Sequence, residues 1–310
     1  MVCDGDVLIL VVTHEGAETV CQTLQSCLSS PQEEARPVMV IDNASADHTV
    51  SVVESLSLPG LEVVRMPKNV GVAKAFNLGV KKARQIAARW LFILDQDSIC
   101  GSCCLDILLQ TANDLMKKGK KVGAVCPTAK SLIFSDVIHY PYRWTGRGLE
   151  PVLCNEKKLP DVPIAIDSTI SSGTMYRVDA LAAINGFREE YFIDFVDHEC
   201  HIRLRRAGWS LWWEKRAVLY HRLGRIQRMT DEGLWVEHDP VRYYYMARNM
   251  VEGYWRLGGV RALLQFGGEI QRQIHRLRRF GEAPKESIHY IFKGVKDAFL
   301  GKFGPLDSDD

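Results

Sequence analysis

Two carboxylates one residue apart, Asp95 and Asp97, follow the apolar run Trp90 to Leu94 in "WLFILDQDSIC". A short buried strand that delivers both acids to its mouth sets up mutual repulsion, and a divalent cation with oxygen ligands would relieve it. An Asp-x-Asp triplet also arises often by chance, so its weight comes from its place at the end of an apolar strand. A second acidic group, Asp194, Asp197 and Glu199 in "FIDFVDHECHIRLRRAG", opens an expected helix. There the acids either complement the helix dipole, pair with Arg203 and Arg206 along the helix face, or leave one carboxylate as a general base. His221 ends the apolar run of "WSLWWEKRAVLYH" and precedes Arg222, Gly224 and Arg225. It is read either as a structural strand-end residue or, with Asp95 and Asp97, as part of a site for a metal and an anionic diphosphate.

The elements that must position these groups are legible as alternation. "VLILVVT", "PVMVID", "LEVVRM", "WLFILD" and "VGAVCP" are strand-like, and helical patterns over Ala17 to Leu28, Asp47 to Leu56, Gly71 to Ala88 and Leu105 to Gly119 separate them. Such spacing predicts crossover units, hence an α/β fold with a mostly parallel sheet and helices on both faces. Ligands on such sheets bind beyond the carboxyl ends of the strands. Those ends carry Thr13 and His14, Asp42 and Asn43, Lys68 and Asn69, and Asp95 and Asp97, so four polar clusters converge on one edge. Neither the glycine fingerprint of dinucleotide folds nor a phosphate-binding loop is present, which disfavours a nicotinamide oxidoreductase.

Residues 127 to 165 are interrupted by Pro141, Pro151, Pro160 and Pro163 and read as loop and edge strands. A strand, a glycine turn and a short helix from Val178 to Ile184 come next. The acidic-headed helix and the strand ending at His221 then lead to a helical segment from Pro240 to about residue 301. With 310 residues, 46% hydrophobic, the chain can bury a full core, and disorder is expected only in the tail "PLDSDD". Its net charge of +1 gives no overall attraction to nucleic acid. Nine cysteines and an N-terminus without the basic region of a secretory signal point to a reducing cytoplasm. Cys100, Cys103 and Cys104 have no second CxxC or histidine pair at zinc spacing, so they read as thiols at a helix start. No transmembrane run of 18 apolar residues occurs.

The ordered set "VVTHEG", "IDNASADHT", "KNVGVAKAFNLG", "LDQDS", "ISSGTMYR", "GFREEYFIDFVDHECHIRLRRAGW", "YHRLG" and "YYYMARNM" resembles the family 2 glycosyltransferases, and within them a bacterial rhamnosyltransferase branch, over essentially the whole chain. The resemblance implies a GT-A fold over residues 1–238, with a nucleotide-binding half at 1–126 and an acceptor-binding half at 127–238, followed by a C-terminal helical region at 239–310. It also implies a nucleotide-sugar donor, Mg2+ or Mn2+, and an inverting single displacement. By position, Thr13, Asp42, Asn69, Gly71, Asn77, Asp95 and His221 match donor-side residues. Asp97, Asp95 and His221 match the metal and diphosphate site, with Asp97 matching the direct ligand. The family's usual Tyr and Asn are His14 and Glu15 here. Its Glu-Asp pair has become Val196-Asp197, so Asp197 matches the catalytic base and Arg203 the arginine that follows. Asp194 is the fallback, and Arg248 or Asn249 are expected to face the acceptor.

The implied reaction moves L-rhamnose from dTDP-L-rhamnose to a saccharide or lipid-linked glycan in cell-surface polysaccharide synthesis. A UDP-hexose or galactofuranose donor, or an inactive nucleotide-sugar-binding protein, are the alternatives. Intact Asp95, Asp97, Asp197 and His221 weigh against loss of activity. An oligomer is compatible with all of this. Ile288, Ile291, Phe292, Val295, Phe299 and Leu300 form one helical stripe, with Lys293 and Lys296 off it. Arg261 to Phe303 holds nine Lys and Arg against four Asp and Glu. The helix is expected either to pack on the catalytic domain or to lie peripherally on the inner face of an anionic membrane.

Overall fold

The computed structural model describes residues 6–28, 36–134, 136–152 and 162–306, so Pro160 and the last four tail residues lie outside the described residues. The first strands are β1 (Val7–Thr13), β2 (Val38–Asp42), β3 (Leu61–Arg65) and β4 (Trp90–Asp95), joined by α1 (Val20–Cys27), α2 (Thr49–Ser55) and α3 (Val72–Gln85). β1 pairs in parallel with β2 and β4, and β2 with β3. Because both faces are covered, β1 is apolar at almost every position rather than alternating. Leu8, Leu10 and Val12 face a core with Ala73, Phe76 and Val80 of α3. Val7, Ile9 and Val11 face the opposite core with Val20 and Leu24 of α1.

After β4 come β5 (Ser98–Cys100), α4 (Cys104–Lys117), β6 (Val122–Ser131) and the short strands β7 (Ile138–His139), β8 (Tyr142–Trp144), β9 (Leu149–Pro151) and β10 (Ile164–Ile166). Next are β11 (Met175–Arg177), α5 (Val178–Ala183), α6 (Val196–Arg206) and β12 (Ser210–His221). The main sheet runs β10-β12-β6-β11-β4-β1-β2-β3. Sequence alternation places β6 next in a parallel series, but β11 inserts antiparallel between β4 and β6. A late strand can claim that slot because Met175 and Tyr176 are apolar enough to be buried on both faces. β12 then runs parallel to β6 and antiparallel to β5, which returns its last residue to the edge where β4 ends.

A hairpin of β13 (Ile226–Thr230) and β14 (Gly233–Glu237), absent from the sequence expectation, precedes α7 (Pro240–Phe280) and α8 (Pro284–Phe299). The chain reverses within α7 at Gly259, whose φ of 63° and ψ of −152° are open to glycine and strained for other residues. The two arms close on each other: Tyr243 and Ala247 share a cluster with Leu277 and Ile291. The Tyr254 hydroxyl also donates to Glu269 at 3.1 Å. The expected apolar stripe of α8 is divided. Ile291 is buried against α7, whereas Phe292, Phe299 and Leu300 are exposed. Close approach of Gly294 to the Tyr244 carbonyl, and a 3.0 Å hydrogen bond from the Tyr244 hydroxyl to Asp297, set which face turns inward. Among the described residues no helix is long and apolar enough to cross a membrane, and no disulfide joins the cysteines.

Candidate active site

The register of the sheet aligns the strand ends. Thr13 lies opposite Asp42, and Val12 opposite Asp95. At the far side, the β5–β12 pairing sets His221 opposite Ser98. As a result, one oxygen each of Asp95 and Asp97 and one ring nitrogen of His221 lie within 4.8 Å of one another. His221 Nε2 is 3.8 Å from Asp95 Oδ2, and Nδ1 is 3.4 Å from Asp97 Oδ1. Two hard carboxylate oxygens and an imidazole nitrogen converging in this way suit a divalent ion such as Mg2+ or Mn2+.

Residues not singled out by sequence hold this arrangement. The Ser98 hydroxyl lies 3.0 Å from His221 Nδ1 and 2.6 Å from the Ser172 hydroxyl, and Ser172 Oγ accepts the Asp95 N–H at 3.0 Å. Gln96, the middle residue of the acidic triplet, fixes the loop to β1. Its Oε1 accepts from the Thr13 hydroxyl and the His14 N–H, each at 2.7 Å, and its Nε2 donates to the His14 carbonyl. Position between the two acids was the available signal for Gln96; Ser98 and Ser172 lie inside the motifs "LDQDS" and "ISSGTMYR", but their proximity to each other and to His221 depends on strand pairing.

Asp197 sits in the first turn of α6, its carboxylate accepting the N–H groups of Ser171 at 3.2 Å and of His198 at 2.7 Å. It is near enough to Asp95 to act on it electrostatically. Burial raises the Asp95 pKa to about 6, His221 opposes this, and Asp97 and Asp197 add to it. The Asp95 side chain still shows 36% of its surface, so solvent screens part of that effect.

Asp194 is paired instead: Arg242, from the first turn of α7, donates to its carboxylate at 2.6 and 2.8 Å. The charge of Asp194 holds the Arg242 guanidinium above its ordinary pKa, and Arg242 is a further cation acting on Asp95. Sequence reading passed over Arg242, although it lies beside the tyrosine-rich motif.

Arg248 and Asn249, expected to face the acceptor, are buried at 1% and 0% exposure. Arg248 donates to the carbonyls of Tyr191 and Gly304 at 2.9 and 2.7 Å. The Asn249 amide lies 2.7 to 3.0 Å from the carbonyls of Tyr191, Ile193 and Asp194. The reason is backbone shape. Phe192, Asp194 and Phe195 all have positive φ, which for non-glycine residues persists only when surroundings enforce it. The two side chains hold the segment that leads into Asp197.

At the ends of the neighbouring strands, Asp42 is buried and accepts from the Ser45 hydroxyl at 2.5 Å and the Ser45 N–H at 3.1 Å. Asn69 accepts the Gly71 N–H at 2.9 Å, turning the chain into α3. Gly71 has φ of 79°, and a Cβ there would fall 2.5 Å from the Phe192 carbonyl. Asn77 spends its amide on the turn ahead of the acidic segment, accepting the Phe187 N–H at 2.8 Å and donating to the Phe187 carbonyl at 2.9 Å. The Glu199–Arg203 pair at 2.7 Å is structural, since Arg203 also donates to the carbonyls of Ile184 and Gly186. His201, fully buried, accepts the Thr169 N–H at Nδ1 and meets the Tyr176 hydroxyl at 2.8 Å; burial lowers its pKa to about 3.

A mixed, mostly parallel sheet with this acid pair, histidine and helix-borne carboxylate at one edge defines a GT-A glycosyltransferase. The family model of glycosyl transferase family 2 matches residues 8–184, more than half of the chain, and the chain belongs to that family. It is 25% identical to the dTDP-rhamnosyl transferase RfbF of Shigella flexneri, over 79% of each chain. A shorter likeness, 30% identity over 92 residues, links it to the succinoglycan biosynthesis protein ExoO of Rhizobium meliloti (strain 1021), covering 30% of this chain and 25% of that one. GalNAc-T7, crystallised with UDP, GalNAc and Mn2+, shares the fold with a TM-score of 0.66 at 15% identity; the match covers 96% of this chain and 57% of that one. TarS 1-349 of S. aureus in complex with UDP-GlcNAc gives 0.55 at 15% identity, covering 97% and 94%.

Proposed function

We propose that this chain is a metal-dependent inverting glycosyltransferase that moves L-rhamnose from dTDP-L-rhamnose to a saccharide or lipid-linked glycan acceptor in cell-surface polysaccharide synthesis. The convergence of Asp95, Asp97 and His221 at the edge shared with Asp197 carries the reading. The rhamnosyl donor is supported by the likeness to RfbF, which spans most of both chains. A bound Mg2+ or Mn2+, held by Asp95, Asp97 and His221, would offset negative charge on the leaving diphosphate.

The remaining work belongs to the chain. Thr13 and Asp42 line the edge beside the acid pair and receive the nucleoside, with Asn69 and Gly71 alongside. Asp197 is oriented by the Ser171 and His198 N–H groups, and its carboxylate takes the proton of the acceptor hydroxyl. The acceptor oxygen forms its bond to the anomeric carbon as the bond to the nucleoside diphosphate breaks on the opposite face, inverting the configuration.

A UDP-sugar donor is the second reading, favoured by the UDP ligands of the GalNAc-T7 and TarS structures. Thermal melting with dTDP, UDP and GDP, each with and without Mn2+ or Mg2+, separates the two. A ligand at a hundred times its dissociation constant adds about 2.7 kcal/mol of stability. A metal-dependent shift with dTDP alone supports the rhamnosyl reading. A preference for UDP replaces the donor, and no shift with any nucleotide overturns the proposal.

A further inference from the structure

Helix α8 presents an outward stripe that the catalytic reading leaves without a role. Lys285, His289, Phe292, Lys296 and Phe299 succeed one another at steps of three and four residues, all exposed, while Ser287, Ile291, Gly294 and Asp297 form the buried face. Phe292 and Phe299 show 60% and 71% of their surface, and Leu300 shows 58%. Two phenylalanines held in water by a helix whose other face is already packed are unfavourable unless something covers them. From Lys285 to Phe299 the stripe runs about 21 Å along the helix axis.

We infer that this stripe docks the protein on an anionic lipid surface. The charge pattern selects that occupant. Lys285, Lys296 and the exposed Lys302 stand beside the aromatic rings, Glu286 is the exposed acid of the helix, and Asp297 is turned inward to Tyr244. Aromatic rings flanked by lysines match the boundary of an anionic bilayer, where rings enter the acyl margin and ammonium groups stay with the headgroups. A second copy of the chain is a poorer occupant, because a two-fold contact would set this lysine-bearing stripe against itself.

The stripe is also tied to the site. Just beyond α8, the Gly304 N–H donates to the Glu190 carbonyl at 2.8 Å and Arg248 joins Gly304 to Tyr191. Phe303 stacks on Tyr191 with ring centroids 6.5 Å apart. That segment continues into Asp194 and Asp197, so a docked α8 would hold the candidate base at a set orientation to the lipid surface.

The test is co-sedimentation of the full chain with phosphatidylcholine vesicles, with and without about one third phosphatidylglycerol, at low and high salt. It needs neither donor nor acceptor, so its result is independent of the glycosyltransfer reading. Binding to the anionic vesicles that weakens with salt is expected. Phe292→Ser with Phe299→Ser should lower the partition coefficient about tenfold, and Lys285→Glu with Lys296→Glu at least as much at low salt. Both double variants sit on exposed positions and should keep the wild-type melting temperature and nucleotide shift. Absence of binding to anionic vesicles, or binding that neither variant reduces, overturns the inference. So does light scattering that shows the phenylalanine variant turning a dimer into a monomer while vesicle binding persists.

Discussion

His221 Nδ1 stands 3.4 Å from Asp97 Oδ1 because β12 runs antiparallel to β5, with His221 opposite Ser98. The histidine and the acid come from distant parts of the chain, and one strand pairing makes them neighbours. If these groups and Asp95 hold the cation, Asp97→Asn should abolish the metal-dependent part of the nucleotide-induced melting shift. A loss of affinity of at least about tenfold is expected by titration calorimetry. An unchanged metal-dependent shift would remove Asp97 from the ligand set.

Asp197 should separate binding from turnover. Asp197→Asn preserves shape and removes the proton acceptor, so kcat should fall by about 10² to 10⁴ while donor binding stays within about twofold. Retention of full activity in a steady-state assay would sink the base assignment.

Asp95 makes the site depend on pH in two ways. Folding raises its pKa from 3.8 to about 6, with burial the main cause. A raised pKa means that the stabilising contribution is complete below pH 3.8 and is lost as pH climbs through about 6. In EDTA, Asp95→Asn should therefore melt higher than wild type at pH 7.5, and the gain should vanish near pH 4. With metal present, protons compete for the same oxygens, so metal-dependent nucleotide binding should weaken below about pH 6. A variant whose gain is equal at both pH values would contradict this account.

Arg248 should be a stability residue. Its removal takes one donor from the Tyr191 carbonyl and the Arg248 donor from Gly304, and leaves a buried space among Tyr244, Tyr245 and Phe303, which predicts a loss of about 2 to 4 kcal/mol in urea unfolding. Arg248→Ala at a temperature where it remains folded should bind nucleotide normally. A fully stable variant with a raised acceptor KM would restore the acceptor-facing expectation.

The alternation of apolar runs and helical stretches was enough to read the α/β architecture and the edge to which Thr13, Asp42, Asp95 and Asp97 are delivered, because strand ends follow directly from local pattern. The antiparallel place of β11, the reversal at Gly259 and the β13–β14 hairpin were not readable, since each is decided by which buried surface a segment finds. The same holds within the site. Asp194 and Asp197 are three residues apart in one acidic segment, yet one is closed by Arg242 and the other left with two backbone donors. Arg248 and Asn249 sit in a motif that looked outward in sequence, and packing turned them to the carbonyls of a left-handed stretch. Residue types and strand ends are local properties of the chain; the partner of each polar group is decided by long-range contacts, which only the folded molecule contains.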